Sequence, residues 1–167
     1  MKIFLVGMPG CGKSSLGQKL SRKIEVPFFD MDDVLEEKAG KKITEIFDVD
    51  GEEYFRKLEQ EVLSEYCSST DDTFIVATGG GTPCFYDNME SMNLAGVTIY
   101  LKVPINTITE RLESQKSVRP LLQGIENIEV HLENLLEKRS QWYEQSKLIL
   151  DSDHTSDGLL NLILKGV

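Results

Sequence analysis

Cysteine is scarce. Cys11, Cys67 and Cys84 are the whole complement of a 167-residue chain. No CxxC pair and no Cys/His cluster occurs, which argues against a zinc site. Three widely spaced thiols without a pairing pattern fit a reducing cytoplasm rather than a disulfide-built fold. Basic residues are also in the minority, 18 against 28 acidic, for a net charge of −10. Such a chain is a poor electrostatic partner for nucleic acid or an anionic membrane, although a local basic pocket for a small anion is compatible with it. No apolar run approaches a membrane span. The first residues show one Lys ahead of a short strand-like run and no cleavage site, so the expectation is a cytoplasmic protein. Low-complexity tracts and internal repeats are missing. What remains is an ordinary globular composition in a length that suits one domain, residues 1–167, with a full core.

What is there is an alternation of apolar runs and amphipathic segments. KIFLV (2–6), PFFD (27–30), TFIVA (73–77), VTIYL (97–101) and LIL (148–150) read as strands. Helices are expected over 13–24, after Asp33 with Glu36 as a capping box and Gly40 as its end, and over 43–66 in two pieces, the second capped by Asp50 and Glu53. Further helices are expected over 85–93, from Ile105 through Leu112, over 126–144 and over 156–165. Residues 114–124 have no clear periodicity and contain Pro120. Strand–helix alternation of this kind implies an α/β fold, a parallel sheet with helices on both faces and right-handed crossovers.

The stretch GMPGCGKSS (7–15) matches GxxxxGK[ST] through Gly7, Gly12, Lys13 and Ser14. Its glycines let backbone N–H groups turn inward around phosphate oxygens, Lys13 brings a positive charge to the β and γ phosphates, and Ser14 offers a hydroxyl to Mg2+. The following helix aims its N-terminal dipole at the same place. Cys11 reads as a small filler in this loop rather than a nucleophile. Asp48-Val49-Asp50-Gly51 spells the DxxG of a GTPase, but it lies between helical segments and no NKxD exists. The chain is also short for a motor or transporter ATPase, and its size suits a small-molecule kinase.

A kinase needs an acceptor site beside the γ-phosphate and a cover that excludes water. Asp30 and Asp32 end a strand in FFDMDD. If the backbone stays extended, i and i+2 point to one side, toward the crevice where ligands bind in such folds. One would act through Mg2+ while the other accepts or orients a hydroxyl proton; the plainer reading is that they cap the next helix. Gly79, Gly80 and Gly81 allow a ligand close to the backbone, or only a tight turn. Arg139 falls on the apolar stripe of Leu132, Leu135, Leu136 and Tyr143, so its guanidinium needs an anion, from the protein or from a ligand. Arg56, with Glu59 three residues on, reads by itself as a surface charge. Arg119 sits in the aperiodic stretch, where an Arg can close onto a transferring phosphate.

Taken together, GMPGCGKSSLG, FFDMDD, the FR of EEYFRKLE, ATGGGT, RPLL (119–122) and RSQWY (139–143) resemble the shikimate kinase family, in order and at suitable spacing, over essentially the whole chain. The resemblance implies a three-layer α/β/α sandwich of the P-loop, nucleoside monophosphate kinase-like type, with a central five-stranded parallel sheet. It implies ATP-dependent phosphorylation of the 3-hydroxyl of shikimate in aromatic biosynthesis, by a monomer with one Mg2+ ion. Gly10, Cys11, Gly12, Lys13, Ser14, Ser15 and Arg119 would hold ATP. Asp32, Arg56, Gly79, Gly80, Gly81 and Arg139 would hold shikimate, the two arginines on its carboxylate. Lys13, Asp32 and Arg119 would be catalytic; Ser14 and, through water, Asp30 would serve Mg2+. Residues 31–60 would form the shikimate-binding segment and 114–124 a lid. Position 15 is Ser where Thr is frequent in the family. SQKSV, before RPLL, lacks an Arg that many members carry near the adenine, with Lys116 or backbone contacts left to serve there. The competing readings are another small-molecule kinase of this fold and a nucleotide-binding regulatory module without transferase activity.

Overall fold

β1 (Lys2–Val6) is buried from Ile3 to Val6, with no polar alternation. That is the mark of a strand covered on both faces in a parallel sheet. The structure, a computed structural model, describes residues 1–70, 73–114, 125 and 127–151. Within them β2 (Phe28–Asp30), β3 (Phe74–Ala77), β4 (Val97–Lys102) and β5 (Leu148–Asp151) complete a five-stranded sheet in the order β2-β3-β1-β4-β5. Every pairing is parallel, with Lys2 opposite Phe74 and Ile3 opposite Val97 on either side of β1. Helices cover both sides of the sheet. All strands therefore end at one edge, and the segments that leave β1, β2 and β3 there are the phosphate-loop motif, the aspartates and the triple glycine.

The helices are α1 (Lys13–Ile24), α2 (Met31–Ala39), α3 (Ile43–Val49), α4 (Gly51–Ser68), α5 (Asn88–Ala95), α6 (Ile105–Glu113) and α7 (Ile128–Tyr143), with a 3₁₀ turn at Thr82–Cys84. α1 packs so close to β2 that a Cβ on Gly17 would lie 2.4 Å from the Phe28 ring. α4 buries Phe55, Leu58, Val62 and Leu63, but also Arg56 and Glu59. Two charged residues on the inner stripe of one helix already point to a polar site beneath it.

Several boundaries differ from the sequence reading. Asp33 and Glu36 do not form a capping box. The N-cap of α2 is Asp30, whose carboxylate accepts from the Asp32 N–H at 3.1 Å. Glu36 instead reaches forward and accepts from the Ile43 N–H at 3.0 Å, which satisfies a free donor at the start of α3. Asp50 precedes α4 without capping it, because Lys41 takes its carboxylate at 2.6 Å; Glu53 pairs with Lys57. Gly40 does close α2, at φ 67, and the long segment is in two pieces as expected. The helix expected over 85–93 is shifted to Asn88–Ala95, since Pro83 favours the 3₁₀ turn before it. α7 starts at Ile128, where the Asn127 side chain accepts from the Val130 N–H at 3.1 Å. The lid beyond Ser114, the helix over 156–165, Lys116 and Arg119 lie outside the described residues.

Candidate active site

A cavity of about 1470 Å³ opens at the carboxyl edge of the sheet. Its wall holds the whole phosphate loop from Gly10 to Ser15, together with Asp30, Asp32, Arg56, Gly79, Gly80, Gly81 and Arg139. The structure thus gathers into one space every described residue that the resemblance assigns to ATP, shikimate or Mg2+.

The loop between β1 and α1 carries positive φ at Gly7, Gly10 and Gly12, a path that only glycine follows without strain. Lys13 lies along it, nearly buried, and its ammonium donates to the carbonyls of Gly7 at 2.9 Å and Met8 at 3.0 Å. Cys11 is buried beneath the loop and packs as filler. Its carbonyl accepts a hydrogen bond from Arg111 of α6 at 3.1 Å, so a helix distant in sequence braces the cradle. Ser14, in the first turn of α1, donates to the Asp30 carboxylate at 2.5 Å. These two side chains present oxygen donors at the mouth of the cradle, the donor type Mg2+ prefers.

Asp32 does not share an extended strand with Asp30, as the i, i+2 argument supposed. It stands in the first turn of α2, and the helix turn carries it into the cavity. Asp32 is open to solvent in the cavity but walled by protein on its other sides; that partial desolvation first, and the Asp30 carboxylate second, push its carboxyl up to about 6. Lys13 pulls the other way, and Glu59 and Asp33 push up in smaller measure. Asp32 therefore lies within electrostatic reach of both the phosphate loop and the floor of α4.

Arg56 is not the surface charge that its local sequence suggests; it is 8% exposed. Its guanidinium carbon lies 4.0 Å from the Phe85 ring centroid and 5.1 Å from that of Phe55, a cation–π setting. Glu59 holds it at 2.7 Å, and Glu52 adds a contact at 3.3 Å. Glu59 is itself 1% exposed and accepts from the Thr82 hydroxyl with its other oxygen. The triple glycine answers to this network. A Cβ on Gly79 would sit 2.8 Å from the Glu59 carboxylate, and one on Gly81 2.7 Å from the Arg56 guanidinium. The close approach that the glycines permit is thus already used by the protein's own charges.

Arg139 reaches the cavity from α7, half-buried. Burial pushes the Cys84 thiol up to about 11, against the pull of Arg139 and Arg56, both close enough to be felt there. Both guanidiniums thus lie near Cys84, and both line the cavity.

The family model described as shikimate kinase matches residues 9–166. The chain belongs to the shikimate kinase family. A shikimate kinase of Bacteroides thetaiotaomicron is 42% identical over 159 residues, 94% of this chain and 90% of that protein. The crystal structure of a shikimate kinase from the same species aligns with a TM-score of 0.91 at 38% identity, covering 99% of this chain and 98% of that one. A shikimate kinase from Acinetobacter baumannii, solved in complex with shikimate, aligns at 0.88 and 34% identity, covering 98% and 93%.

Sequence reasoning missed several residues that shape the site in this member of the shikimate kinase family. Glu59 was visible only as a helix-surface partner of Arg56. Its burial was signalled by the apolar neighbours Leu58, Val62 and Leu63. Thr82, Phe85 and Arg111 carried no local signal, since each meets its partner from a different element.

Proposed function

We propose that this enzyme transfers the γ-phosphoryl group of ATP to the 3-hydroxyl of shikimate, giving shikimate 3-phosphate and ADP. The observation that carries the reading is the polarity of the cavity. The phosphate cradle with Lys13, the Arg56 and Arg139 guanidiniums and the Asp32 carboxylate all line one cavity, and Asp32 feels both Lys13 and Glu59, the partner of Arg56.

In this reading Gly10 to Ser15 wrap the phosphates, and Lys13, which rests on its own loop carbonyls, turns its charge to the transferring group. Arg56 and Arg139 grip the acceptor carboxylate, and the backbone of Gly79, Gly80 and Gly81 lines the acceptor's bed. Arg56 arrives already aimed, because Glu59 and the Phe85 face fix it. Asp32 accepts or orients the hydroxyl proton. Its raised carboxyl keeps it close to the pKa that suits a base near neutral pH. Arg119 would add charge from a lid at 114–124. Ser14 directly, and Asp30 through water, would hold one Mg2+, which supplies charge neutralisation on the phosphates. The fit rests on the two oxygen donors that already meet at the cradle mouth.

The same reading makes the enzyme a monomer that acts on ATP and shikimate without nucleic acid or membrane. Its three free thiols support a reducing compartment in this reading, the cytoplasm. Among the described residues no helix is long and apolar enough to cross a membrane. Coupled ADP release with purified enzyme, ATP, Mg2+ and shikimate tests the activity. Turnover with shikimate but not with gluconate or a nucleoside is expected; the reverse would overturn the assignment.

A further inference from the structure

Tyr143 is the last residue of α7 and is fully buried, although it carries a hydroxyl. A buried phenol needs a partner, and this one has an informative choice. It donates to the carbonyl of Gly80 at 2.5 Å. Burial holds the phenol well above its ordinary range, while the Arg139 guanidinium, one turn earlier on α7, lies beside the same oxygen and opposes this by charge and hydrogen bonding. The oxygen therefore stands between Arg139 and the middle glycine. The ring is fixed as well, stacked on Tyr100 of β4 with centroids 5.1 Å apart. Gly80 in turn abuts the phosphate loop, since a Cβ there would lie 2.7 Å from the Pro9 ring. Tyr143 is thus bonded to Gly80, which packs close to Pro9 of the phosphate loop, and Arg139 stands one turn back on the same helix.

Building on the proposed shikimate reaction, we infer that Tyr143 is a positioning residue whose hydroxyl sets the Arg139 guanidinium against the Gly80 backbone, and so fixes the acceptor carboxylate at a set distance from the phosphate loop. At this fully buried position the phenol oxygen meets the Gly80 carbonyl and lies 3.9 Å from the Met8 sulfur of the phosphate loop, contacts that Phe would lose. The stacked ring satisfies the core, and the oxygen meets the backbone of Gly80, which lines the site. Tyr143 does not touch the reacting atoms and acts through Arg139.

The test is Tyr143→Phe, which keeps the ring and removes the oxygen, in steady-state kinetics with shikimate and ATP. The shikimate KM should rise about tenfold, with kcat within threefold and the ATP KM within twofold. In a cycle with Arg139→Ala, the Tyr143→Phe effect on shikimate KM should shrink below twofold, because both changes remove one function. Leu132→Val, a packing loss about three turns back on α7, should leave the shikimate KM unchanged. An unchanged shikimate KM in Tyr143→Phe, full additivity in the cycle, or equal rises in both KM values would overturn the inference. Should the Phe variant not fold, wild-type enzyme labelled with 13Cζ-tyrosine decides. The Tyr143 resonance must move on adding shikimate, and a resonance that stays fixed is the contrary result. Failure of the wild-type enzyme to turn over shikimate would sink the proposed function itself, and so is distinct from these outcomes.

Discussion

The Glu59 carboxylate holds the Arg56 guanidinium at 2.7 Å in a site where neither side chain is more than a tenth exposed. Buried pairs of this kind contribute little net stability against an apolar alternative, but breaking one leaves an unpaired charge. The pair therefore makes most sense as a device for aiming. Glu59 fixes the guanidinium edge that it touches and leaves the rest to the cavity.

Removing that carboxylate should loosen the acceptor grip before anything else. Glu59→Gln keeps the volume and a hydrogen-bond acceptor for Thr82 but strips the charge that Arg56 faces. We expect a shikimate KM raised about tenfold, an ATP KM within twofold, and a loss of about 3 kcal/mol in urea unfolding. Equal changes in both KM values would show that Glu59 serves the fold as a whole and not Arg56.

Gly79→Ala approaches the same network from the other side. The new methyl would meet the Glu59 carboxylate at 2.8 Å and the Thr82 hydroxyl at 3.0 Å, and neither is a free side-chain end. Overpacking of this sort costs about 1–3 kcal/mol and displaces Glu59. Gly40→Ala is the matched control. It has open space around it, and only its φ of 67 resists the substitution. Both variants should lower Tm, but only Gly79→Ala should raise the shikimate KM.

Asp32→Asn should separate stability from function. The folded carboxyl sits at about 6 against an ordinary 3.8, chiefly because partial desolvation disfavours its charge. A carboxyl raised on folding opposes folding once it ionises. The penalty is absent below the unfolded value, grows as pH rises through the window between the two, and is complete above about 6. A neutral Asn escapes it. Asp32 is exposed to solvent in the open cavity, which screens the effect, so the variant should gain about 1 kcal/mol or less at pH 8 and less still at pH 5, while turnover falls at least about 100-fold with ATP binding retained. Thermal unfolding at the two pH values reads the first effect, and titration with ATP reads the last. Near-normal turnover would remove Asp32 from the proposed chemistry.

The sheet was legible because parallel strands are buried on both faces and read as unbroken apolar runs, KIFLV and TFIVA above all. The phosphate loop was legible because its chemistry is local. Asp32 was named for a partly mistaken reason. The extended i, i+2 geometry does not exist, and the helix that Asp30 caps puts Asp32 in the cavity instead. Arg56 misled because Glu59, three residues on, suggests a solvated pair on a helix surface. The Phe85 ring that buries it comes from another part of the chain. The Tyr143–Gly80 bond joins residues 63 positions apart, and no periodicity reports such a pairing.

The acid limb of activity gives the most direct check on Asp32 as the proton acceptor. The ionised form must be present for it to accept a proton, and its carboxyl titrates at about 6 in the free enzyme. With both substrates well below KM, the second-order rate reports free-enzyme ionisations. It should be level above that pH and fall about tenfold per unit below it. A carboxyl of ordinary pKa would instead keep the rate level down to about pH 5. Assignment of the limb follows from its causes. Asp33 contributes to the rise through its negative charge, and it is exposed at the cavity rim. Asp33→Asn should therefore move the midpoint to lower pH while the plateau stays near the wild-type rate. A midpoint that stays in place or moves upward would show that the limb belongs to a group other than Asp32.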